Sequence, residues 1–550
     1  MRTVRLAAVI CGLAAMACVR AAPTPPDRAA AAMGAAIYLR GMLPSGAPLE
    51  GTQSRLGVRL RAGDAACVNC HQRSGLGSHE GSSGIPPITG EYLFSPRVSP
   101  AHEPAGPQLQ GSHGDRAPYT EATLARAIRS GVDSESRPLG DLMPRFELDD
   151  SSMIALTAYL KQLTPRSPPG LANGLLHLAT VVTPDSDPVR RRGALDVLEH
   201  FVAEKNASPL KSGPVPGAAG MTGHSDRTGL ASRRWQLHVW TLTGAPDTWG
   251  AQLDRQFASQ PVFALLSGIG GAEWAPVHEF CEQHSVPCLF PNLEVPVVSE
   301  QDFYSVYFSK GVLLEAELMA RSIRADNAGT GAIGVHQIYR RGDSGEVGAA
   351  ALATALRDPR ITVSEEAVPA TAASRRLGEV LSRRPAGAVV VLWLRPADIA
   401  KLSSGTPPER VYLSGLMSGL ENAPLPPRWR EHAALTYPFE LPQRRRVQLD
   451  YAVGWFAFRH IPVVDLRVQA DTFLACSLFA DTLRLMGDHA SPPYLLEQLQ
   501  GLLEHRALTG YYPRLALAAH QHFASKGGYL VHFGVPQGTA VMADTPWLVP

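Results

Sequence analysis

The sequence predicts two unlike domains: a small, mainly helical one built around Cys67-Val68-Asn69-Cys70-His71, and a large α/β one with parallel sheets. Three observations lead there. The pentapeptide has C-x-x-C-H spacing, which holds two thiols at a porphyrin edge and swings an imidazole under the metal, the attachment pattern of a c-type haem. A redox pair of the thioredoxin kind would not need His71 and would sit in a βαβ context, unlike this Gly-, Ser- and Arg-rich stretch. The composition also changes: residues 29–165 are rich in Gly and Pro with three or four helical stretches, whereas from residue 175 short apolar strands alternate with amphipathic helices. Between them Pro165, Pro168, Pro169 and Gly170 mark a linker over 166–174.

The N-terminus predicts export. Arg2 and Arg5 are basic, residues 6–17 are apolar, and Val19-Arg20-Ala21 supplies a cleavage site, so residues 1–21 read as a signal peptide. That run is short for a bilayer and no later one is long enough, so no transmembrane segment is expected. Lipoprotein anchoring at Cys18 is the alternative, but Ala15-Met16-Ala17 is a poor lipobox. The expected address is the periplasm. The 51 lysines and arginines lose Arg2, Arg5 and Arg20 with the signal, leaving 48 against 50 acids. A near-neutral chain gives no argument for nucleic acid or an anionic membrane as partner.

With 550 residues, 45% of them hydrophobic, there is material for more than one core. Of seven cysteines, Cys11 and Cys18 leave with the signal and Cys67 and Cys70 take the haem. Cys281 should end a helix and Cys288 open the next strand, placing them for a disulfide in an oxidising compartment. Its short loop would contribute about 2–3 kcal/mol. Cys476, inside the apolar helical pattern of 473–485, reads as a packing residue.

In the first domain, residues 29–39 form a helix with Gly34 and Tyr38 on one side, and 119–130 a second. Residues 148–163 form a third, capped by Asp149 or Asp150, with Met153, Leu156, Leu160 and Leu163 at helical spacing. Before it stands Leu142-Met143-Pro144. A thioether is a soft, neutral ligand that suits iron opposite histidine and raises its potential, so Met143 is the expected sixth ligand. Met153 competes only from the apolar stripe of a helix, where packing explains it. A carbonyl of Pro86-Pro87 is placed to accept the Nδ1–H of His71.

These residues resemble class I cytochrome c over 29–165: the Gly/aromatic helix, CVNCH, the proline turn, LMPRF, then LDDSSMIALTAYLKQL. The resemblance implies one covalent haem c, axial His71 and Met143, and electron exchange with a redox partner protein. The departure is the long stretch 73–116, whose His79, His102 and His113 are alternative ligands to Met143.

In the second domain, strands are expected at 176–183, 235–243, 262–267, 287–291, 332–339, 361–367 and 388–394. Helices are expected from Asp187-Pro188 and over 248–259, 274–283, 346–357 and 374–382. VFALLSGIGG, VPCLFPN, FYSVYFSKG and AIGVHQIYRRGDSGEVG resemble the type I periplasmic-binding fold, the branched-chain amino-acid receptor family, over 175–550. The resemblance implies two lobes with a ligand cleft at the strand ends, formed by Ser267, Gly268 and Asn292 with Tyr339 from the second lobe. Glu294, or Asp343 beyond Tyr339, is the acid available there, an incomplete set for an amino acid. The arginine rows 190–192 and 444–446 read as solvated helix faces.

No G-x-S-x-G or H-E-x-x-H occurs, and residues 268–271 lack a nucleotide-binding pattern. The expectation is a periplasmic electron carrier, not an enzyme, whose second module recognises a small molecule or docks a redox partner. The alternative is a solute receptor for an importer or sensor, with the haem accessory.

Overall fold

The computed structural model describes residues 25–53, 57–80, 83–96, 116–163, 168–207, 229–300, 302–326, 332–371, 380, 384–402, 407–505, 510–518, 521–534 and 540–550. The signal peptide, Cys18, His102, His113, the side chain of His79, residues 164–167 of the linker region and nearly all of the helix expected over 374–382 lie outside this description. The chain divides into two compact units, Met1–Thr164 and Pro165–Pro550.

The first unit contains helices α1 (Pro25–Arg40), α2 (Val68–His71), α3 (Gly90–Phe94), α4 (Glu121–Ser130) and α5 (Asp150–Gln162). Helices α1 and α5 cross where Gly34 meets Ala155. A Cβ on Gly34 would lie 2.0 Å from the Ala155 carbonyl oxygen, so only glycine permits the approach. One turn on, the rings of Tyr38 and Tyr159 stand 5.2 Å apart. Asp149 caps α5, accepting the Ser152 N–H at 2.7 Å, and Met153, Leu156 and Leu160 are buried as their spacing predicts. Thr120 and Thr123 form a capping box on α4, which ends at left-handed Gly131.

The unit is not all-α. Strand β1 (Glu50–Thr52) pairs antiparallel with β2 (Arg59–Arg61) and β5 (Arg145–Phe146), and β3 (Ser78–Glu80) pairs with β4 (Ser83–Ile85). Strands of two or three residues carry no readable alternation, and β1–β5 joins segments far apart in the chain, so no local pattern announces them.

Among its described residues the second unit holds two sheets. In the first, β7 (Leu175–Val182), β8 (Arg234–Thr241), β9 (Ala264–Leu266), β10 (Cys288–Leu289) and β11 (Ser305–Val306) run parallel in the order β8-β7-β9-β10-β11, and β6 (Leu171–Ala172) folds back antiparallel on β7. In the second, β12 (Ile333–Arg340), β13 (Ile361–Val368), β14 (Val389–Trp393), β15 (Val411–Leu413) and β16 (Ala433–Tyr437) repeat that order as β13-β12-β14-β15-β16. There β17 (Tyr529–Phe533) and β18 (Val541–Ala543) add antiparallel. The sheets are therefore mixed, not parallel throughout: β6 folds back on β7 in the first, and β17 runs against β16 in the second.

Both parallel parts have the 2-1-3-4-5 order of doubly wound sheets, whose crevice opens beyond the strand C-termini beside the first strand. Helix α6 (Pro188–Ala207) starts at that level: Asp187 accepts the N–H of Val189 and Arg190, and Pro188 has no N–H that would need an acceptor. Helices α7 (Trp249–Ser259), α8 (Ala275–His284), α9 (Val312–Asp326) and α10 (Ser344–Ala355) follow, then helices at Pro442–Phe458, Leu466–Met486 and Pro492–His505. Leu466–Met486 is buried over most of its length, Cys476 included. Arg445, expected in solvent, is buried with its guanidinium on Glu421 and the Tyr437 hydroxyl, both at 2.6 Å. Among the described residues no helix is long and apolar enough to cross a membrane.

Candidate functional site

Cys67, Cys70 and His71 share one turn, closed by the His71 N–H on the Cys67 carbonyl at 3.0 Å. Neighbouring side chains hold that turn. The Asn69 amide donates to the carbonyls of Gly63 and Asp64, and the Ser78 hydroxyl donates to the Cys70 carbonyl at 2.7 Å. The His71 ring is buried, and its Nδ1 lies 3.1 Å from the Pro86 carbonyl oxygen. A carbonyl only accepts, so Nδ1 carries the proton and Nε2 is left as the ligating nitrogen. Burial lowers the imidazole pKa to about 4 against the opposing pull of Pro86, keeping the ring neutral. Burial likewise pushes the Cys67 thiol up to about 12.

All three line a cavity of about 460 Å³ whose walls include Leu93, Leu124, Ile128, Leu156 and Leu160. Met143 also lines it. Its N–H donates to Gly140, the Arg145 guanidinium donates to its carbonyl, and the Gln53 amide donates to the Leu142 carbonyl. Met153 belongs to the packed core of α5. The volume falls in the cofactor-pocket range of roughly 300–1,000 Å³. An apolar lining with two thiols and an oriented neutral imidazole on its wall fits a covalently held haem.

In the second unit, the crevice side chains are tied to each other. Asn292 donates through Nδ2 to Ser267 Oγ at 3.0 Å and to Thr472 Oγ1 at 3.1 Å, and Ser267 donates to Thr472 at 3.2 Å. Gly268 packs under Trp274, where a Cβ would meet the indole at 2.6 Å. The Tyr339 hydroxyl faces Glu365, 3.4 Å away on the neighbouring strand. Ser267 and Asn292 are thus brought together, Gly268 serves close packing, and Tyr339 is engaged elsewhere. The cavity at these strand ends, lined by Asn292, Leu416, Phe439, Arg467, Asp471 and Tyr512, measures about 20 Å³, room for one water.

Charges close the same crevice. Glu294, beyond β10 in the first sheet, receives Arg190 at 2.7 Å and a bidentate Arg395, from beyond β14 in the second, at 2.7 and 2.6 Å. Arg395 also holds Asp343, and Arg190 holds Asp465 at 3.0 Å. Burial alone would raise the Glu294 carboxyl, but Arg395 and Arg190 hold it well below the usual carboxylate range. Arg190 is therefore not on a solvated face, and both acids read from the sequence are committed to arginines. Asp471, buried beside Arg467, is pushed up to about 7 by burial.

Cys281 and Cys288 lie at the expected helix end and strand start as buried free thiols in contact, and burial with that contact raises Cys281 further. The sequence did not single out Arg395 and Thr472, and it placed Arg190 on a solvated face. For Arg190 a signal existed in its place just after β7, at the switch point; Thr472 had none, being one hydroxyl in an apolar helix.

Residues 57–164 match the family model for cytochrome c, and that segment is a cytochrome c domain. No curated protein matches the chain. Similar solved structures include a fatty acid ABC transporter substrate-binding protein from Thermomonospora curvata (11% identity, TM-score 0.48, 70% of this chain and 95% of that one). A leucine-binding protein from Thermotoga maritima is similar at 12% identity and TM-score 0.45, over 67% and 98%. The branched-chain amino acid substrate-binding protein of Streptococcus pneumoniae, in complex with isoleucine, is similar at 11% and 0.46, over 68% and 100%.

Proposed function

We propose that the chain is an exported electron carrier of the periplasm. One haem c is held by Cys67 and Cys70 with iron between His71 and Met143, in a domain over 29–165 joined through 166–174 to an α/β module over 175–550. The observation that carries this is the C-x-x-C-H turn on the wall of a 460 Å³ apolar cavity with His71 Nδ1 fixed on Pro86. Haem supplies a one-electron ferric/ferrous couple. The chain's own part is to keep His71 neutral and oriented, present a thioether, and exclude water with Leu93, Leu124, Leu156 and Leu160. If haem is bound, His71 and Met143 would hold its iron, and a pair of protein ligands suits a carrier with a protein redox partner better than an enzyme. In that oxidising compartment Cys281 and Cys288, already in contact, are placed to form a disulfide.

The test is haem content. The exported protein should show one haem per chain that stays bound after acid–acetone extraction, and the Cys67→Ala/Cys70→Ala double variant should lose it. A wild-type chain without covalent haem rejects the assignment.

For the α/β module, the Glu294–Arg395 closure and the 20 Å³ cavity support recognition of a redox partner, or of a solute other than a free amino acid. A free amino acid needs donors for its carboxylate and an acid for its ammonium, and Glu294 and Asp343 are both taken. Calorimetry of the full chain with the common amino acids should show no micromolar binding; such binding would make the solute receptor the leading reading.

A further inference from the structure

Gln72, the residue immediately after the axial histidine, has φ 61° and ψ 169°. This corner of conformational space is populated almost solely by glycine, because a Cβ crowds the neighbouring peptides there. A glutamine stays in it only if its surroundings hold it, and the strain sits beside a candidate functional residue. Both of its peptide groups are tied. The Gln72 N–H donates to the Val68 carbonyl at 3.0 Å, inside the C-x-x-C-H turn. The Gln72 carbonyl accepts the Tyr38 hydroxyl at 2.7 Å.

Tyr38 is well placed to be the fixed end of that bond. It is fully buried, lies on α1 one turn after Gly34, and packs against Tyr159 of α5, so the α1–α5 crossing sets where its hydroxyl stands. Beyond Gln72 the chain returns at once to the histidine: the Gly77 N–H donates to the His71 carbonyl at 3.3 Å, and Pro86 then meets the His71 ring. The direction in which the chain leaves His71 thus depends on the Gln72 peptide. That peptide is pinned from a helix the attachment motif does not contain.

We propose that Tyr38 is a positioning residue for the axial histidine: its hydroxyl holds Gln72 in a strained turn, and the turn fixes the His71 imidazole for iron. The proposal rests on the haem assignment above. Without the hydroxyl, Gln72 relaxes to a negative φ, Gly77 and Pro86 shift against His71, and the ring loses its fixed orientation. Glycine at 72 has no strain to relax, so it makes the pin unnecessary.

The experiment uses the full haem-loaded chain as wild type, Tyr38→Phe, Gln72→Gly and the double variant. Tyr38→Phe keeps the ring and its packing on Tyr159. Three quantities are measured: the reduction potential, the paramagnetic NMR shifts of the His71 ring, and the rate at which added imidazole displaces the axial ligands. Tyr38→Phe should change the potential and the ring shifts and speed displacement about tenfold, equivalent to ~1.4 kcal/mol. Gln72→Gly should keep the wild-type rate and melt at a higher temperature, and the double variant should return to the wild-type rate. Haem-loaded Tyr38→Phe indistinguishable from wild type overturns the pin, as does a double variant as fast as Tyr38→Phe or a Gln72→Gly chain that melts lower. Wild-type protein without covalent haem instead overturns the haem assignment, and the pin with it.

Discussion

Glu294→Ala should destabilise the α/β unit by about 3 kcal/mol, the low end of what breaking a buried ion pair costs. Glu294 is 5% exposed, and its carboxylate accepts three charge-assisted bonds, two of them from Arg395 across the line between the sheets. Its removal strips one partner from each of two arginines. The cost stays at the low end because Arg395 keeps Asp343 and Arg190 keeps Asp465, and both guanidiniums reach solvent in part. Glu294→Gln should cost roughly half as much, since its amide oxygen can still accept from one arginine. All eight tryptophans lie beyond residue 234, so urea unfolding followed by tryptophan fluorescence reports this unit apart from the cytochrome c domain. The same variants should speed hydrogen exchange near Leu289 and Trp393 by loosening the crevice. A midpoint for Glu294→Ala within error of wild type would show that the bridge does not hold the lobes together.

That bridge also marks where reading the sequence stops. Features written in neighbouring residues were legible: the Cys67–His71 turn, the Asp149 cap, the Asp187-Pro188 helix start, the helix-to-strand passage from Cys281 to Cys288, and burial of Cys476. Each follows from local geometry, so a window of a few residues contains the whole cause. The Glu294–Arg395 pair does not, because it joins side chains 101 residues apart and exists only once two sheets face each other. Thr472 reaches Ser267 over 205 residues in the same way. Isolated from their partners, an arginine after a strand and an arginine row at a helix start look like solvated charges; that holds for Arg192, Arg444 and Arg446, which are exposed, and fails for Arg190 and Arg445, whose acids come from distant segments. The mixed character of the sheets was hidden for a related reason: β6 is a strand of two residues, and β17 meets β16 only after the helices Pro442–Phe458, Leu466–Met486 and Pro492–His505 have intervened, so neither direction is written in a local pattern.

Met143→Ala should lower the reduction potential and open the iron to exogenous ligands, while leaving the fold intact. A neutral thioether stabilises ferrous over ferric iron, so its loss moves the potential down by some part of the roughly 0.8 V range that axial ligands span. The loop should survive, because these ties run to backbone: Arg145 to the Met143 carbonyl, Gln53 to the Leu142 carbonyl, and the Met143 N–H to Gly140. Alanine leaves every one of those groups in place, so far-ultraviolet dichroism should not change. Met153→Leu is the matched control: that side chain lies in the core of the first unit, and leucine conserves its volume, so spectrum and potential should stay at wild type. The expected signature is therefore a six-coordinate, low-spin haem in wild type and Met153→Leu, and in Met143→Ala a lower potential with added imidazole or cyanide binding directly. An unchanged spectrum and potential in Met143→Ala would remove the thioether from the iron and direct the search to His79, His102 and His113 in the stretch 73–116.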